Sequence, residues 1–326
     1  MELSGKALYN LLRSSRLEDL ALAVEDWQVE DYRLLSEKEL FGRLEDLRIS
    51  LTLESFLAYA KECDGPEELT DLLTGIEEPT TERERAYLLF FELWRRELPD
   101  RQTLSIFCDE LDRMVDLFDR QHNPDAVQLE EALEDLEKIL DESVDAGLEP
   151  KDAFALIGQF CAHDLESFLY DYIAELIDNN QELVASEWID GFYDYLHDVR
   201  WFDFLRARLF TRVGTNEGAE TLARLIESLQ ERPELDLALE IATFLAHEGE
   251  PVVFKQVILF CLNLIQTEED FQDILAIVAD FHRCLDQENE EKAIETLFRR
   301  RSHRQLDLPF HQADEDKDIL ISLLKH

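Results

Sequence analysis

The chain has 326 residues, of which 45% are hydrophobic, and its 75 acidic and 32 basic residues give a formal net charge of −43. This hydrophobic content is enough to bury a core, which argues against global disorder. Such an acidic surface repels phosphate backbones and anionic lipid, so it disfavours direct binding of DNA, RNA or a membrane surface and favours a basic protein partner. The same charge is also compatible with a solubilising role alone.

Apolar residues recur at three- and four-residue spacing along nearly the whole chain, while alternating β-branched runs are missing. The ten glycines and eight prolines fall mostly where this periodicity breaks. The pattern predicts an all-α protein of eighteen helices. Antiparallel helix pairs are expected to form an α-solenoid of HEAT-like or TPR-like architecture, or consecutive helical bundles.

The predicted organisation is an N-terminal helical domain over 1–147, a C-terminal helical domain over 148–312, and a charged hinge with a docking helix over 313–326. The first boundary rests on the DAGLEP segment that ends at Pro150. The first two helices are predicted over 4–13 and 17–26. Ser36 and Glu39 have the spacing of a capping box and predict the start of the next helix.

Five cysteines lie apart in apolar helical contexts, and none forms a CxxC pair. They are expected to be reduced core thiols of a cytoplasmic protein. The start of the chain lacks a basic segment followed by an apolar run, and no stretch approaches eighteen uncharged apolar residues. We therefore expect neither a signal peptide nor a membrane span.

The segment from 164 to 212 is rich in aromatic and acidic residues, and helices are predicted over 181–197 and 199–212. The apolar residues of these helices recur at helical spacing and form one stripe, which places Phe192 and Tyr195 on the side that faces the core. Other aromatic residues lie off this stripe, either because the helices are buried on more than one side or because they expose a patch to a partner. On the second alternative, the predicted partner-binding residues are Tyr170, Asp171, Glu175, Tyr193, Asp194, Asp198, Trp201 and Phe204.

Near the C-terminus the charge reverses, with a local excess of basic residues between 292 and 306. The arginines there either pair with the chain's own carboxylates or contact an anion or an acidic partner. The apolar segment over 319–324 is expected to dock on its own domain or on another molecule. The candidate anion-binding or acidic-partner residues are Arg299, Arg300, Arg301 and Arg304.

No segment has the spacing of a catalytic or metal-binding motif. Asp119 with His122, and Asp194 with His197, have a spacing that arises by chance on acidic helices. Cys161 and His163 are too close in sequence to aim at one substrate, and GTNEG at 214–218 lacks the lysine and strand of a phosphate-binding loop. We therefore predict no catalytic, cofactor-binding or metal-ligating residue and no cofactor.

These observations favour a non-enzymatic acidic helical scaffold, adaptor or chaperone that binds a protein partner with a basic surface. One alternative is a nucleic-acid-mimicking inhibitor of a DNA- or RNA-binding protein, which would compete with polyanions for its partner. Another is an enzyme whose helical-bundle active site has no sequence signature. The oligomeric state is left open.

Overall fold

The computed structural model describes residues 3–75, 79–120 and 126–325, and these residues are all-helical, as predicted. In these ranges the only extended pairing is an isolated antiparallel bridge between Thr267 and Pro309. Two 3₁₀ helices cover Tyr32–Leu34 and Tyr193–Tyr195. The α-helices are α1 (Ala7–Glu18), α2 (Asp26–Val29), α3 (Glu37–Asp46), α4 (Leu53–Ala60), α5 (Pro66–Leu73), α6 (Thr80–Glu97), α7 (Leu104–Asp119), α8 (Ala126–Asp145), α9 (Pro150–Gly158), α10 (Leu165–Asp178), α11 (Glu182–Phe192), α12 (Arg200–Val213), α13 (Glu217–Glu231), α14 (Leu235–Glu248), α15 (Pro251–Leu264), α16 (Glu268–Cys284), α17 (Glu288–Arg301) and α18 (Glu315–Leu324).

Several helices begin at the capping residues that the sequence provides. At α3 the backbone N–H of Glu39 donates to the Ser36 hydroxyl, and the Glu39 carboxylate accepts from the backbone N–H of Ser36 at 2.8 Å. This reciprocal pair satisfies two N–H groups that lack a partner within the helix, and it confirms the predicted capping box. Proline opens α5, α9 and α15, where no N–H donor is needed.

The predicted break between the first two helices is wrong. α1 continues through Ser14 and Ser15, and no helix covers residues 20–25. Serine favours helix ends because its hydroxyl can bond the local backbone. The Ser14 hydroxyl instead donates to Asp116 of α7, with Oγ and Oδ1 3.5 Å apart. Ser14 therefore makes a tertiary contact from within the helix and does not end it.

The chain forms two compact units whose segments alternate along the sequence. The first unit comprises residues 1–172 and 191–197, and the second comprises 173–190 and 198–326. Helix α10 therefore contributes to both units. The helices α8 and α9, which flank the predicted boundary at 147–150, pack against each other in the first unit. That boundary stays a prediction.

The core of the first unit is built around α6, in which every residue from Ala86 to Trp94 is buried. Over these nine residues the helix has no exposed face, so other parts of the chain cover it on all sides. α3 and α5 pack against it and contribute Leu40 and Leu69, and Phe56 of α4 joins the same core. The one carboxylate in the run, Glu92, accepts hydrogen bonds from two arginines of the same helix.

The second unit is built from consecutive helix pairs: α12 with α13, α14 with α15, and α16 with α17. α14 also packs against α12 and α16, so the first members of the pairs contact one another in series. Phe254 and Phe281 stack between α15 and α16, with ring centroids 3.9 Å apart. No helix of the described ranges combines the length and the apolar character that crossing a bilayer requires.

The C-terminal helix α18 packs against α15 and α17 of its own unit, and Leu320 and Leu324 are buried there. The predicted helix 181–197 is shorter in the structure, because α11 ends at Phe192 and a 3₁₀ turn follows. Phe192 and Tyr195 are buried, as the helical spacing predicts.

Candidate functional site

Helix α1 carries the most developed surface of the first unit. Its inner side packs on α7 and buries Ala7 and Tyr9. Leu8 and Leu11, three positions apart, are 43% and 40% exposed, and Leu17, near the end of the helix, is 56% exposed. Single exposed leucines are ordinary on a protein surface, but these three line two clefts: Leu8 lines the first, and Leu11 and Leu17 line the second.

The first of these, the tyrosine cleft, has a volume of about 480 Å³. The Tyr87 hydroxyl donates to Glu67, with the two oxygens 3.0 Å apart. The pKa of Tyr87 is raised, mainly by burial and also by the nearby Glu67 carboxylate. The phenol therefore stays protonated and can donate its hydrogen bond to Glu67. Burial and Glu84 act in the same way on Tyr9. The residues that line the cleft include Leu3, Leu8, Tyr9, Glu67, Glu84 and Tyr87, together with Asp71 and Arg83, which form an ion pair.

The second, the histidine cleft, is also about 480 Å³ in volume. Asp116 lies at its centre and accepts from Ser14, while His163 Nε2 lies 3.4 Å from the same carboxylate oxygen. Burial alone would lower the pKa of His163, but the hydrogen bond and charge of Asp116 and the charge of Asp112 raise it. The cleft is lined by Leu11, Ser14, Ser15, Leu17, Asp116, Asp119, Arg120, Ala162 and His163.

A buried polar network holds α1 in place between these clefts. Asp109 of α7 is 3% exposed and accepts from Lys6 at 2.9 Å, from Asn10 at 3.0 Å and from Arg33 at 2.5 Å. Burial would raise the pKa of Asp109, but the charges of Lys6 and Arg33 and the hydrogen bonds outweigh it and lower the pKa to about 2. The carboxylate is therefore ionised and fully paired.

Asp112, one turn further along α7, is in a different electrostatic environment. It is 2% exposed and accepts from the backbone N–H of Ala162 at 2.8 Å and from Asn10 at 3.0 Å. Burial raises its pKa to about 6, although these hydrogen bonds and His163 act in the opposite direction. Two neighbouring buried acids thus differ in pKa, because only Asp109 contacts cationic side chains directly.

This difference predicts that the protein is more stable at pH 5 than at pH 7.5. Unfolded Asp112 loses its proton near pH 4 and folded Asp112 near pH 6, so within that window only the folded state holds the proton. Lowering the pH from 7.5 to 5 passes through about one pH unit of this window, so it should stabilise the fold by about 1.4 kcal/mol. Urea unfolding of the native chain at both pH values measures the gain, and Asp112→Asn should reduce it by that amount. An equal gain in the variant would contradict this assignment.

The geometry of the histidine cleft favours binding over nucleophilic catalysis. A serine nucleophile needs its base within hydrogen-bond reach, and the base needs an orienting acid behind it. Here Ser14 and His163 both contact Asp116, so the acid occupies the position that the base would need. What the two clefts offer is carboxylates beside exposed leucines, which suits a cationic and apolar ligand.

The predicted partner-binding residues divide between the two units. Tyr170, Asp171, Tyr193 and Asp194 belong to the first unit, and the others belong to the second. Tyr170 and Tyr193 are half-buried, while Asp171 and Asp194 are exposed. The pKa of Asp171 is raised, first by partial burial and then by the negative charge of Asp119. Because Asp119 lines the histidine cleft, Asp171 interacts electrostatically with that cleft.

In the second unit the predicted residues have structural contacts. Asp198 forms ion pairs with Arg200 at 2.6 Å and with Arg232 at 3.2 Å. The Trp201 indole N–H donates to Glu234 at 2.9 Å. Phe204 is 1% exposed and packs edge-on against Phe244, so burial on a second side accounts for its position off the stripe. Glu175 is exposed.

The four predicted arginines near the C-terminus also differ from one another. Arg301 is fully buried, with its guanidinium bonded to Glu268, Asp314 and Asp316. An anion or acidic partner would reach only the other three. Arg299, Arg300 and Arg304 are 78%, 55% and 44% exposed, and each pairs with a carboxylate of the chain.

The predicted helix 4–13 overlaps α1, but sequence reasoning missed the exposed leucines and the clefts beside them, because helical spacing alone does not distinguish exposed from buried leucines. It also assigned all five cysteines to the core, whereas Cys284 is exposed. Among the residues that the structure describes, no group of three or more His, Cys, Asp or Glu is arranged to hold a metal ion. His122 lies outside those residues, so the predicted absence of a metal site stays a prediction.

Comparison with protein-family models, with curated proteins and with solved structures finds no match to this chain.

Proposed function

We propose that the protein is a non-enzymatic adaptor or scaffold whose first unit binds a basic, amphipathic segment of a partner protein. The observation that carries this proposal is the outer side of α1. There, exposed leucines line two clefts that contain five carboxylates and two arginines: Glu67, Asp71, Glu84, Asp116 and Asp119, with Arg83 and Arg120.

The apolar contribution of this surface is limited. Fully burying a leucine is worth about 1.5–3 kcal/mol, and Leu8, Leu11 and Leu17 are already about half buried, so they contribute roughly 3 kcal/mol together. A micromolar complex requires about 8 kcal/mol. The remainder must come from the partner's own apolar area and from its cations at the acidic clefts. Binding should therefore need both the apolar and the basic character of the partner.

The tyrosine cleft supports a lysine or arginine of the partner as the inserted side chain. The aliphatic stem of such a residue can lie along Tyr9 and Leu8, while its charged end reaches Glu67 or Glu84. The net charge of −43 would accelerate the encounter with a basic partner and repel acidic competitors. Asp171, one of the residues predicted from the sequence, would extend this field beside the histidine cleft.

We further propose that the helix pairs of the second unit are the repeating element of a solenoid-like scaffold. In support, α12, α14 and α16 contact one another in series while each packs against the helix that follows it. A cytoplasmic location is part of the proposal, because all five cysteines are free thiols.

Binding of a designed peptide tests the α1 surface. The probe is an eighteen-residue helix of leucine and lysine with one apolar face, and a scrambled peptide of the same composition is its control. Fluorescence anisotropy at about 0.15 M salt should show about tenfold tighter binding of the amphipathic peptide. Leu8→Asp with Leu11→Asp should remove that difference, because the apolar anchors are lost while the unit keeps its negative charge.

The matched variant is Leu183→Asp, at a leucine of the second unit that is 82% exposed. It adds one negative charge, against two in the α1 variant, at an apolar position of the second unit, and it should leave the preference for the amphipathic peptide unchanged. Equal binding of the two peptides to the native chain would contradict the proposal. So would an equal effect of the Leu183 variant, because the interaction would then be a general attraction to negative charge.

A further inference from the structure

The ends of two helices in the second unit bring a cysteine and a histidine together. Cys284 is the last residue of α16 and His247 lies in the last turn of α14, and these helices pack against each other. Cys284 Sγ lies 3.2 Å from His247 Nδ1. Both side chains are exposed, so reagents in solution can reach the pair.

The other four cysteines are in the opposite environment. Cys63, Cys108, Cys161 and Cys261 are all buried. Burial raises the pKa of the Cys261 thiol to about 12, which keeps that sulfur protonated and unreactive at neutral pH. Cys284 is therefore the thiol of this chain that combines access with a base. A nucleophile within hydrogen-bond reach of an imidazole is the arrangement that activates cysteine for attack.

We infer that Cys284 is a covalent modification site, a nucleophilic thiol served by His247 as its base, and that it takes small disulfides carrying positive charge. Nothing in the proposal for α1 is needed for this inference, because the pair lies in the second unit and its chemistry is independent of partner binding.

The reaction is a thiol–disulfide exchange. His247 Nδ1 accepts the proton of Cys284, and the thiolate attacks one sulfur of the disulfide. A new sulfur–sulfur bond forms to Cys284 while the bond within the reagent breaks. The departing thiolate takes the proton from the imidazolium and leaves as a free thiol. Cys284 is oxidised, the disulfide reagent is the oxidant, and no further redox partner is required.

The selectivity for cations follows from the charge of the protein. With a net charge of −43, anionic disulfides are repelled and cationic ones are concentrated near the surface. The nearest basic neighbour in sequence, Arg283, does not reverse this field, because it is paired with Asp280 and Glu291. Added salt should reduce the difference between reagents, since exposed charges are screened.

The test measures rates of labelling of the native full chain at pH 7.5 by intact-mass spectrometry. Cystamine is the cationic disulfide, and 3,3′-dithiodipropionate is the anionic one. We expect one adduct per chain, located at Cys284 by peptide mapping and absent in Cys284→Ser. Cystamine should react at least about tenfold faster than the anionic reagent at low salt, and the ratio should fall towards one at about 1 M salt.

His247→Ala should slow the cystamine reaction by about tenfold, a smaller factor than the roughly hundredfold that a positioned base supplies in an enclosed site. His303→Ala, at an exposed histidine of the same unit, is the matched variant and should react at the native rate. In urea, which unfolds the protein, the native chain and the two histidine variants should react at the same rate. Equal rates there would show that the difference in the folded state comes from the site and not from the intrinsic reactivity of the thiol. A native rate in His247→Ala, or faster labelling of a buried cysteine, would overturn the inference.

Discussion

Arg301→Met is expected to lower the free energy of unfolding of the second unit by about 3–5 kcal/mol, the range for removing one partner of a buried ion pair. Arg301 is 0% exposed and donates to Glu268 at 2.6 and 2.8 Å, to Asp314 at 2.9 Å and to Asp316 at 3.0 Å. Without the guanidinium, three carboxylates are left close together, two of them less than one-tenth exposed.

The aromatic contacts of the same group add to the loss. The guanidinium lies over the rings of Phe271 and Phe310, with centroid distances of 4.6 and 5.3 Å. Methionine fills part of that space, so the substitution mainly removes charge and hydrogen bonds. Urea unfolding followed by circular dichroism measures the total loss. Hydrogen exchange of the α18 amides shows whether the C-terminal helix detaches first.

Arg299→Met is the matched variant, because Arg299 lies two positions earlier on α17, is 78% exposed and forms an ion pair with Glu295 within the same helix. A pair of this kind contributes about 0.3–0.5 kcal/mol, so the variant should unfold close to the native chain. Similar losses in both variants would contradict the distinction between a buried and an exposed arginine. An unchanged Arg301→Met would show that the cluster adds nothing to stability.

Asp109→Ala should lower the free energy of unfolding of the first unit by about 3 kcal/mol. The substitution leaves Lys6 and Arg33, whose side chains are 11% and 17% exposed, without their shared carboxylate. It also removes an acceptor of Asn10, and these contacts connect α1 to α7. Asp119→Ala, at an exposed carboxylate of the same helix, should have little effect.

The pH dependence of this loss has a definite sign. The pKa of Asp109 is lowered from 3.8 to about 2 in the folded state, so its contribution is complete above about pH 4 and disappears as the pH falls through 2. The native chain and Asp109→Ala should therefore differ at pH 6 and converge below pH 2. Urea unfolding at several pH values provides the comparison. If the difference in unfolding free energy between the two chains stayed constant down to pH 2, the loss would come from packing and not from charge.

The helical character of the chain was predictable because apolar spacing and capping are local. The Ser36 capping box depends on residues three positions apart, and the burial of Phe192 and Tyr195 follows from the spacing of one helix. The end of α1 was not predictable in this way. Ser14 and Ser15 favour a helix end locally, and the contact between Ser14 and Asp116 joins residues 102 positions apart.

The sites were harder to predict because they depend on which helices meet. Three consecutive arginines end α17, and nothing local indicates that only Arg301 points into the unit. His247 and Cys284 are 37 positions apart and meet because α14 packs against α16. The leucines of α1 have the same spacing as buried leucines elsewhere. The role of each of these residues can be inferred only when the helix that packs against it is known.

The burial of Arg301 has a consequence for the order in which the protein folds during synthesis. The first unit has all its residues once position 197 has been made, whereas in the second unit Arg301 has only Glu268 of its three carboxylate partners until Asp314 and Asp316 exist. At about 5–20 residues per second, ribosomes need roughly 6–24 s for the intervening chain. During that interval the first unit can be native while the second exposes apolar helices, so nascent chains should recruit holding chaperones at lengths between these two positions.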